Sequence, residues 1–244
     1  QAGWRAYDNH CTQQSWFTYD QVQNDFPATL TGYSQRYADG QLVKSSNTYG
    51  TSWYGYDDDG ANTWVVRSIN DLGTKTVNYY YTKEGQLDKI DYQKEVPAER
   101  FVHQYVYDAN KRPVEVKTSL DNAVFTSNQS LQYYLHGALK RTELGGTLQG
   151  LDYVYTASGR LKSVNAPTLT NRDPGKDGYP GTHAGFKKDV FGFTLDYFTG
   201  DYVRKNTFID TYTPNTINRT DGFQEQFSGA IRAIRWQTLL PAGA

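Results

Sequence analysis

Two short stretches gather carboxylates: Asp57, Asp58 and Asp59 in "YDDDG", and Asp173 with Asp177 in "RDPGKDG". Carboxylates hold calcium when oxygen ligands fall at alternating positions and a distant carboxylate completes the set. The first run does not match that calcium-loop spacing and reads as a solvated hairpin turn. The second has two readings, a calcium cradle through Asp173 and Asp177, or ordinary turn residues beside Pro174 and Gly175. Four histidines, His10, His103, His136 and His183, lie far apart without HxxxH or HExxH spacing, which argues against a metal centre. Cys11 is the lone cysteine, so an internal disulfide and a multi-cysteine zinc site are excluded. Its neighbour His10 does not make it a nucleophile, because a working base is brought close by the fold rather than by sequence. No GxSxG elbow, P-loop or GxGxxG fingerprint occurs. The residues thus point to a non-enzyme with no metal and no cofactor.

Aromatic residues are the other candidates for binding chemistry. The 244 residues include 21 Tyr, 11 Phe and 5 Trp, a share that argues against disorder and suits sheets faced with tyrosine. Trp53, Trp64 and Trp236, with Trp16, are candidates for stacking on sugar rings. The same rings could instead join one hairpin to the next, and periodic placement favours packing. Shell tyrosines should then lie buried between hairpins, whereas a lectin should show an exposed aromatic platform beside polar groups. A hydrolase built on an acidic pair ranks last, since it requires two carboxylates converging in a cleft. Net charge is −1 with Lys and Arg scattered, so no electrostatic footprint for nucleic acid is present. No run reaches the length of a membrane span, and no signal peptide is recognisable. The chain begins at Gln1 and contains no methionine, and it reads as a piece of something longer.

The elements that must position these residues come from a repeat. Tyr56, Tyr81, Tyr107, Tyr133 and Tyr155 are each followed four residues later by Gly60, Gly85, Lys111, Gly137 and Gly159. Two residues further stand Leu87, Leu139 and Leu161, with Asn62 and Pro113 as departures, and Ile90, Val116 and Val164 follow three later. Near-constant recurrence of this kind marks a repeat architecture. Segments such as "QYVYD" and "LDYVYT" are rich in β-favouring residues, and "KEG" or "ASG" supply the small and glycine positions of a hairpin turn. Apolar residues three apart after the turn share one face of a returning strand if a bulge or bend lies between them. Each unit is therefore expected to be a β-hairpin whose neighbours join edge to edge, since a lone hairpin is marginal in water.

The expected organisation is leading degenerate repeats over 1–50, a repeat array over 51–166, an inserted loop over 167–188 and further strands over 189–244. "FQEQFSGAIRAIRW" has helical spacing at Phe223, Phe227, Ile231 and Ile234, but Gly229, Ile231 and Ile234 also fall on the repeat positions, and the strand reading is preferred.

"YVYDANKRPVEV", "YVYTASGRLKSV" and "YYYTKEGQLDKI" follow a "YxYDxxGRLxxV" pattern that resembles the YD repeats of bacterial RHS proteins. "DVFGFTLDYFTGDY" and "FSGAIRAIRW" look like a subgroup of large secreted or surface members of that family. The resemblance covers roughly residues 15 to 238. It implies an all-β array of hairpins forming a spiral or curved antiparallel sheet, part of a hollow shell around a C-terminal effector, often a toxin. The implied partners are the remaining repeats and effector of the same parent protein, with secretion machinery or a surface partner, and the implied location is extracellular or cell-surface. The family's self-cleaving core carries paired "DPxG" motifs. Here Asp173, Pro174 and Gly175 lack the spacer residue and no second motif follows, so the resemblance supplies no protease assignment.

Overall fold

The computed structural model describes residues 14–23, 25–27, 30–202 and 224–239. Among them are fourteen strands and no helix: β1 (Ser15–Tyr19), β2 (Leu42–Asn47), β3 (Gly50–Tyr56), β4 (Asn62–Ile69), β5 (Gly73–Tyr81), β6 (Leu87–Tyr92), β7 (Phe101–Tyr107), β8 (Pro113–Ser119), β9 (Thr126–Tyr133), β10 (Leu139–Leu144), β11 (Gln149–Tyr155), β12 (Leu161–Val164), β13 (Phe191–Asp196) and β14 (Ala233–Thr238). The all-β, antiparallel hairpin array expected from the sequence is what folds. At the C-terminal stretch the strand reading prevails, since Gly229 takes φ +99° and β14 begins four residues on. His10, Cys11 and Phe223 lie outside the described residues.

The chain divides into two compact units, one of residues 1–111 with 117–126 and the other of 112–116 with 127–244. In the first unit β1 to β7 pair antiparallel, each strand with its successor. In the second, β9 to β14 do the same.

One hairpin design recurs. The residue after the strand-terminal tyrosine exchanges backbone hydrogen bonds across the turn, as in Thr82 N to Gln86 O at 2.8 Å and Gly85 N to Thr82 O at 3.0 Å. The fourth residue after the tyrosine is left-handed in every copy, with φ of +80° at Gly60, +79° at Gly85, +96° at Gly137 and +80° at Gly159. Lys111 adopts +63° at the same place, a conformation that a side chain tolerates poorly. One extra residue then enters the returning strand. Tyr81 faces Leu87 but Tyr80 faces Lys89, so Asp88 is bulged out of register. Lys140 and Lys162 are bulged likewise. The bulge explains the three-residue apolar spacing, because it places Leu87 and Ile90 opposite Tyr81 and Tyr79 on one face.

The core of the first unit forms on the opposite face of the sheet. Trp53, Trp64 and Val66 are buried there, and the segment between β1 and β2 lays Phe26, Leu30 and Tyr33 across them. Phe26 and Tyr33 meet the Trp64 ring edge-on, at centroid distances of 5.4 and 5.2 Å. Buried Gln35 fastens this segment by donating from Nε2 to the carbonyls of Val43 at 2.6 Å and Tyr54 at 2.8 Å. Trp53 donates its indole N–H to Asp25 at 2.9 Å. In the second unit, Val154 and Ala166 form a smaller apolar cluster against Tyr202.

Gly55 sits under the Trp64 indole, where an added Cβ would lie 2.1 Å from Cε2 of the ring. Gly55→Ala should therefore destabilise the first unit by about 1–3 kcal/mol through overpacking. The loss is read as a lower urea midpoint with altered near-ultraviolet circular dichroism from the tryptophans. An unchanged midpoint would show that the ring relaxes freely.

Candidate functional site: a tyrosine ladder and a buried aspartate cluster

The five repeat tyrosines each occupy the last position of a strand: β3, β5, β7, β9 and β11. From there the hydroxyls of Tyr56, Tyr81, Tyr107 and Tyr133 reach back to the first carbonyl of the preceding strand. Tyr56 donates to Leu42 O at 2.8 Å, Tyr81 to Asn62 O at 2.8 Å, Tyr107 to Leu87 O at 2.7 Å and Tyr133 to Pro113 O at 2.7 Å. Tyr197, one residue past β13, makes the same bond to Leu161 O at 2.8 Å. Each bond ties a hairpin to the one before it. Leu87, Leu139 and Leu161 are correspondingly the first residues of β6, β10 and β12. The rings lie half-buried on one face rather than fully enclosed, and Tyr81 remains 36% exposed. The tyrosines, expected to lie buried between hairpins, are instead half-buried or, at Tyr81, exposed, with hydroxyls bonded to the preceding hairpin at Tyr56, Tyr81, Tyr107 and Tyr133. Burial raises the pKa of Tyr56, Tyr81 and Tyr107 above the ordinary tyrosine value, which keeps these hydroxyls protonated as donors.

The residue after each tyrosine closes the turn. Asp57 Oδ1 accepts from the N–H of Asp59 at 3.2 Å and Ala61 at 2.8 Å, so the "YDDDG" run is a hairpin turn with Asp58 and Asp59 exposed. Thr82, Asp108 and Thr156 cap their turns by the same side-chain route.

The second unit holds a cluster of buried charges. Arg141 is 1% exposed on β10, directly across the ladder from Asp152 on β11. Its guanidinium binds Asp152, Asp177 at 2.8 Å and Glu143 at 2.9 Å. Gly150 and Gly175 make room for it, since a Cβ at either would fall within 2.3 Å of a guanidinium nitrogen. Phe186 covers the group at 4.7 Å. Beside this lies a second set. Asp189 accepts from Gln149 and Asn165, both at 2.9 Å, and it stands close enough to Asp173 to share a hydrogen bond. Asp173 in turn accepts from the backbone of Ala166, Gly175 and Lys176. Asp177 Oδ2 is buried with no hydrogen-bond partner. A third buried group, Lys162, is held by Asp196 at 2.5 Å and Asp201 at 2.8 Å.

The cluster carries more carboxylates than cations, and their protonation follows. Burial, reinforced by the Asp173 and Asp177 charges, pushes Asp189 up to about 9. Burial raises Asp152 to about 7 against the pull of Arg141, and it raises Asp173 as well. Among the described residues no group of three or more His, Cys, Asp or Glu is placed to hold a metal ion. His183 bonds Gly175 O at 2.8 Å, while His103 and His136 sit against aromatic rings elsewhere.

Of the four tryptophans considered for sugar stacking, Trp16 on β1 is 49% exposed, and two others are corrected. Trp53 and Trp64 are 5% and 8% exposed, because Phe26, Leu30 and Tyr33 cover them. Trp236, on β14, is 60% exposed. Sequence reasoning found Asp173 and Asp177 but not Asp189 beside the first, nor Arg141, which joins the second to Asp152. The one available signal was a charge pair, Arg141 and Asp152, brought into register by the "LGGT" turn between two β-rich runs.

Removing one ladder hydroxyl should cost about 1 kcal/mol. Tyr107→Phe and Tyr133→Phe should each lower the unfolding free energy by that amount, read as a lower urea midpoint, and Tyr105→Phe on the same face should not. A carboxyl raised above its ordinary 3.8 holds a proton in the folded protein that the unfolded chain releases. The stabilisation is complete below that unfolded value and is lost as pH rises through the folded values. Urea midpoints should therefore decline between about pH 4 and pH 9, and Asp189→Asn should flatten the decline. A midpoint that rises over this range in the unaltered protein contradicts the assignment.

No protein-family model matches the chain, and no curated protein matches it. Among solved structures, the chain is similar to TcdB2-TccC3 without its hypervariable C-terminal region, at 13% identity and a TM-score of 0.49. It is similar also to TcdB2-TccC3-TEV at 12% identity and to the Tc holotoxin pore of Photorhabdus luminescens at 13%, both with a TM-score of 0.47. Each match covers 76% of this chain and 10% of the other, so the chain spans about a tenth of the length of these structures.

Proposed function

We infer that this chain is a structural segment of a secreted or cell-surface RHS-type β-shell that encloses or displays a C-terminal effector. The observation that supports the reading most is the tyrosine ladder, in which one hydroxyl-to-carbonyl bond recurs at hairpin after hairpin. A device that joins each hairpin to its predecessor builds walls of any length, and nothing in it singles out one copy for chemistry. The "YxYDxxGRLxxV" resemblance supports the same role. In this reading the partners are the further repeats and the effector of the same parent protein, together with a secretion system or surface partner. The parent works outside the cell or on its surface, and this segment is not an enzyme. No helix of the described residues is long and apolar enough to cross a membrane.

The test is the intact mass of the natural polypeptide carrying this segment, with limited proteolysis of the same material. A wall segment is expected to run on through more repeats into an unrelated C-terminal domain that resists protease until the repeats are unfolded. A mature chain ending near Ala244, or a C-terminal domain digested as fast as free protein, would sink enclosure.

A further inference from the structure

The ladder leaves one face of the first unit to solvent, and there β1 to β5 form a groove of about 580 Å³. That volume lies in the range of small-molecule sites. Its composition is unlike that of a packing face. Phe17 and Tyr49, 51% and 59% exposed, stand on its walls, and Tyr54 and Tyr79 line it further in. Between them run the hydroxyls and amide of Ser45, Asn47 and Ser52, which share that face of the sheet. Short side chains keep this floor open, and they offer donors and acceptors in a row. The Ser45 and Tyr54 hydroxyls are already bonded to each other at 3.0 Å, which orients both.

A single charged side chain lines the groove, Arg67 on β4. The other lining groups are neutral at physiological pH, and among the described residues no carboxylate pairs with Arg67. Its neighbour along the ladder, Lys75, is paired with Glu99 at 2.6 Å, so Arg67 is left as the local uncompensated cation. Aromatic walls take the apolar C–H faces of a pyranose ring, hydroxyls take its equatorial oxygens, and a guanidinium takes a carboxylate in a two-point hydrogen bond. We propose that the groove of β1 to β5 is a binding site for an acidic saccharide, with Arg67 receiving the sugar carboxylate and Phe17, Tyr49 and Tyr79 flanking the rings. The site goes beyond the wall role, which neither requires nor forbids it.

The probe is trigalacturonate, with its methyl ester as the uncharged counterpart, titrated calorimetrically into the full chain and followed by NMR of ring-labelled tyrosine. Trigalacturonate is expected to bind saturably, shifting Tyr49 and Tyr79, and to bind about tenfold or more tightly than the ester. Arg67→Gln should remove that preference, bringing the acid and the ester to similar affinity. Tyr49→Ala should weaken both ligands. Arg67 is exposed, so its variant is expected to keep the near-ultraviolet spectrum of the parent, and that spectrum is recorded as the folding control. The proposal is overturned if trigalacturonate produces no saturable heat or shift. It is overturned equally if acid and ester bind alike, or if Arg67→Gln retains the preference with the fold intact.

Discussion

The hydrogen bond from a strand-terminal tyrosine hydroxyl to the first carbonyl of the preceding strand is the contact on which the rest depends. A two-stranded hairpin is marginal alone, and its weakest point is where the ladder gives way to the turn. The bulge at each returning strand sharpens that weakness, because it breaks register one residue after the turn. Tyr56, Tyr81, Tyr107 and Tyr133 satisfy the carbonyl beside the break and carry enough apolar ring to shield it. One residue type thus does what a cap and a packing residue would otherwise do separately. The glycine four residues on is needed for a different reason, the left-handed backbone that lets the turn close.

The two units solve the problem of burial differently. The first buries indoles under a crossing segment, with Gln35 and Asp25 supplying the polar ends. The second has few apolar groups to bury and places Arg141, Lys162 and six aspartates inside instead. Burying charge is costly unless each is paired, and here each cation meets at least two carboxylates. Such a core contributes more to a single defined geometry than to stability, because a misplaced strand would strand a charge.

Much of this was legible in the residues. Tyr–x–x–x–Gly spacing marks the hairpins, and the three-residue step from Leu87 to Ile90 calls for a bulge or a bend, of which the strand takes the bulge. The departure at Lys111 still took the left-handed turn, so the repeat held even where its usual residue was absent. What escaped was everything that joins distant segments. Nothing local in Phe26, Leu30 or Tyr33 says that they cover Trp53 and Trp64, so those indoles read as surface candidates. Asp189 and Asp173 looked like a strand flank and a turn residue, and their meeting depends on how the loop after β12 folds back. Tyr197 performs the ladder bond without the four-residue glycine spacing and so was not counted among the copies.

The socket around Arg141 has a bearing on how such a protein can change over generations. Gly150 and Gly175 fit only because the guanidinium fills the space between them, and the guanidinium is tolerable only because Asp152 and Asp177 flank it. No one of these five positions can drift by itself without leaving a hole, a collision or a bare charge. Lineages that lose the arginine are expected to have replaced the whole set together. In an alignment these positions would then vary as a block, on a clock separate from that of the repeat tyrosines.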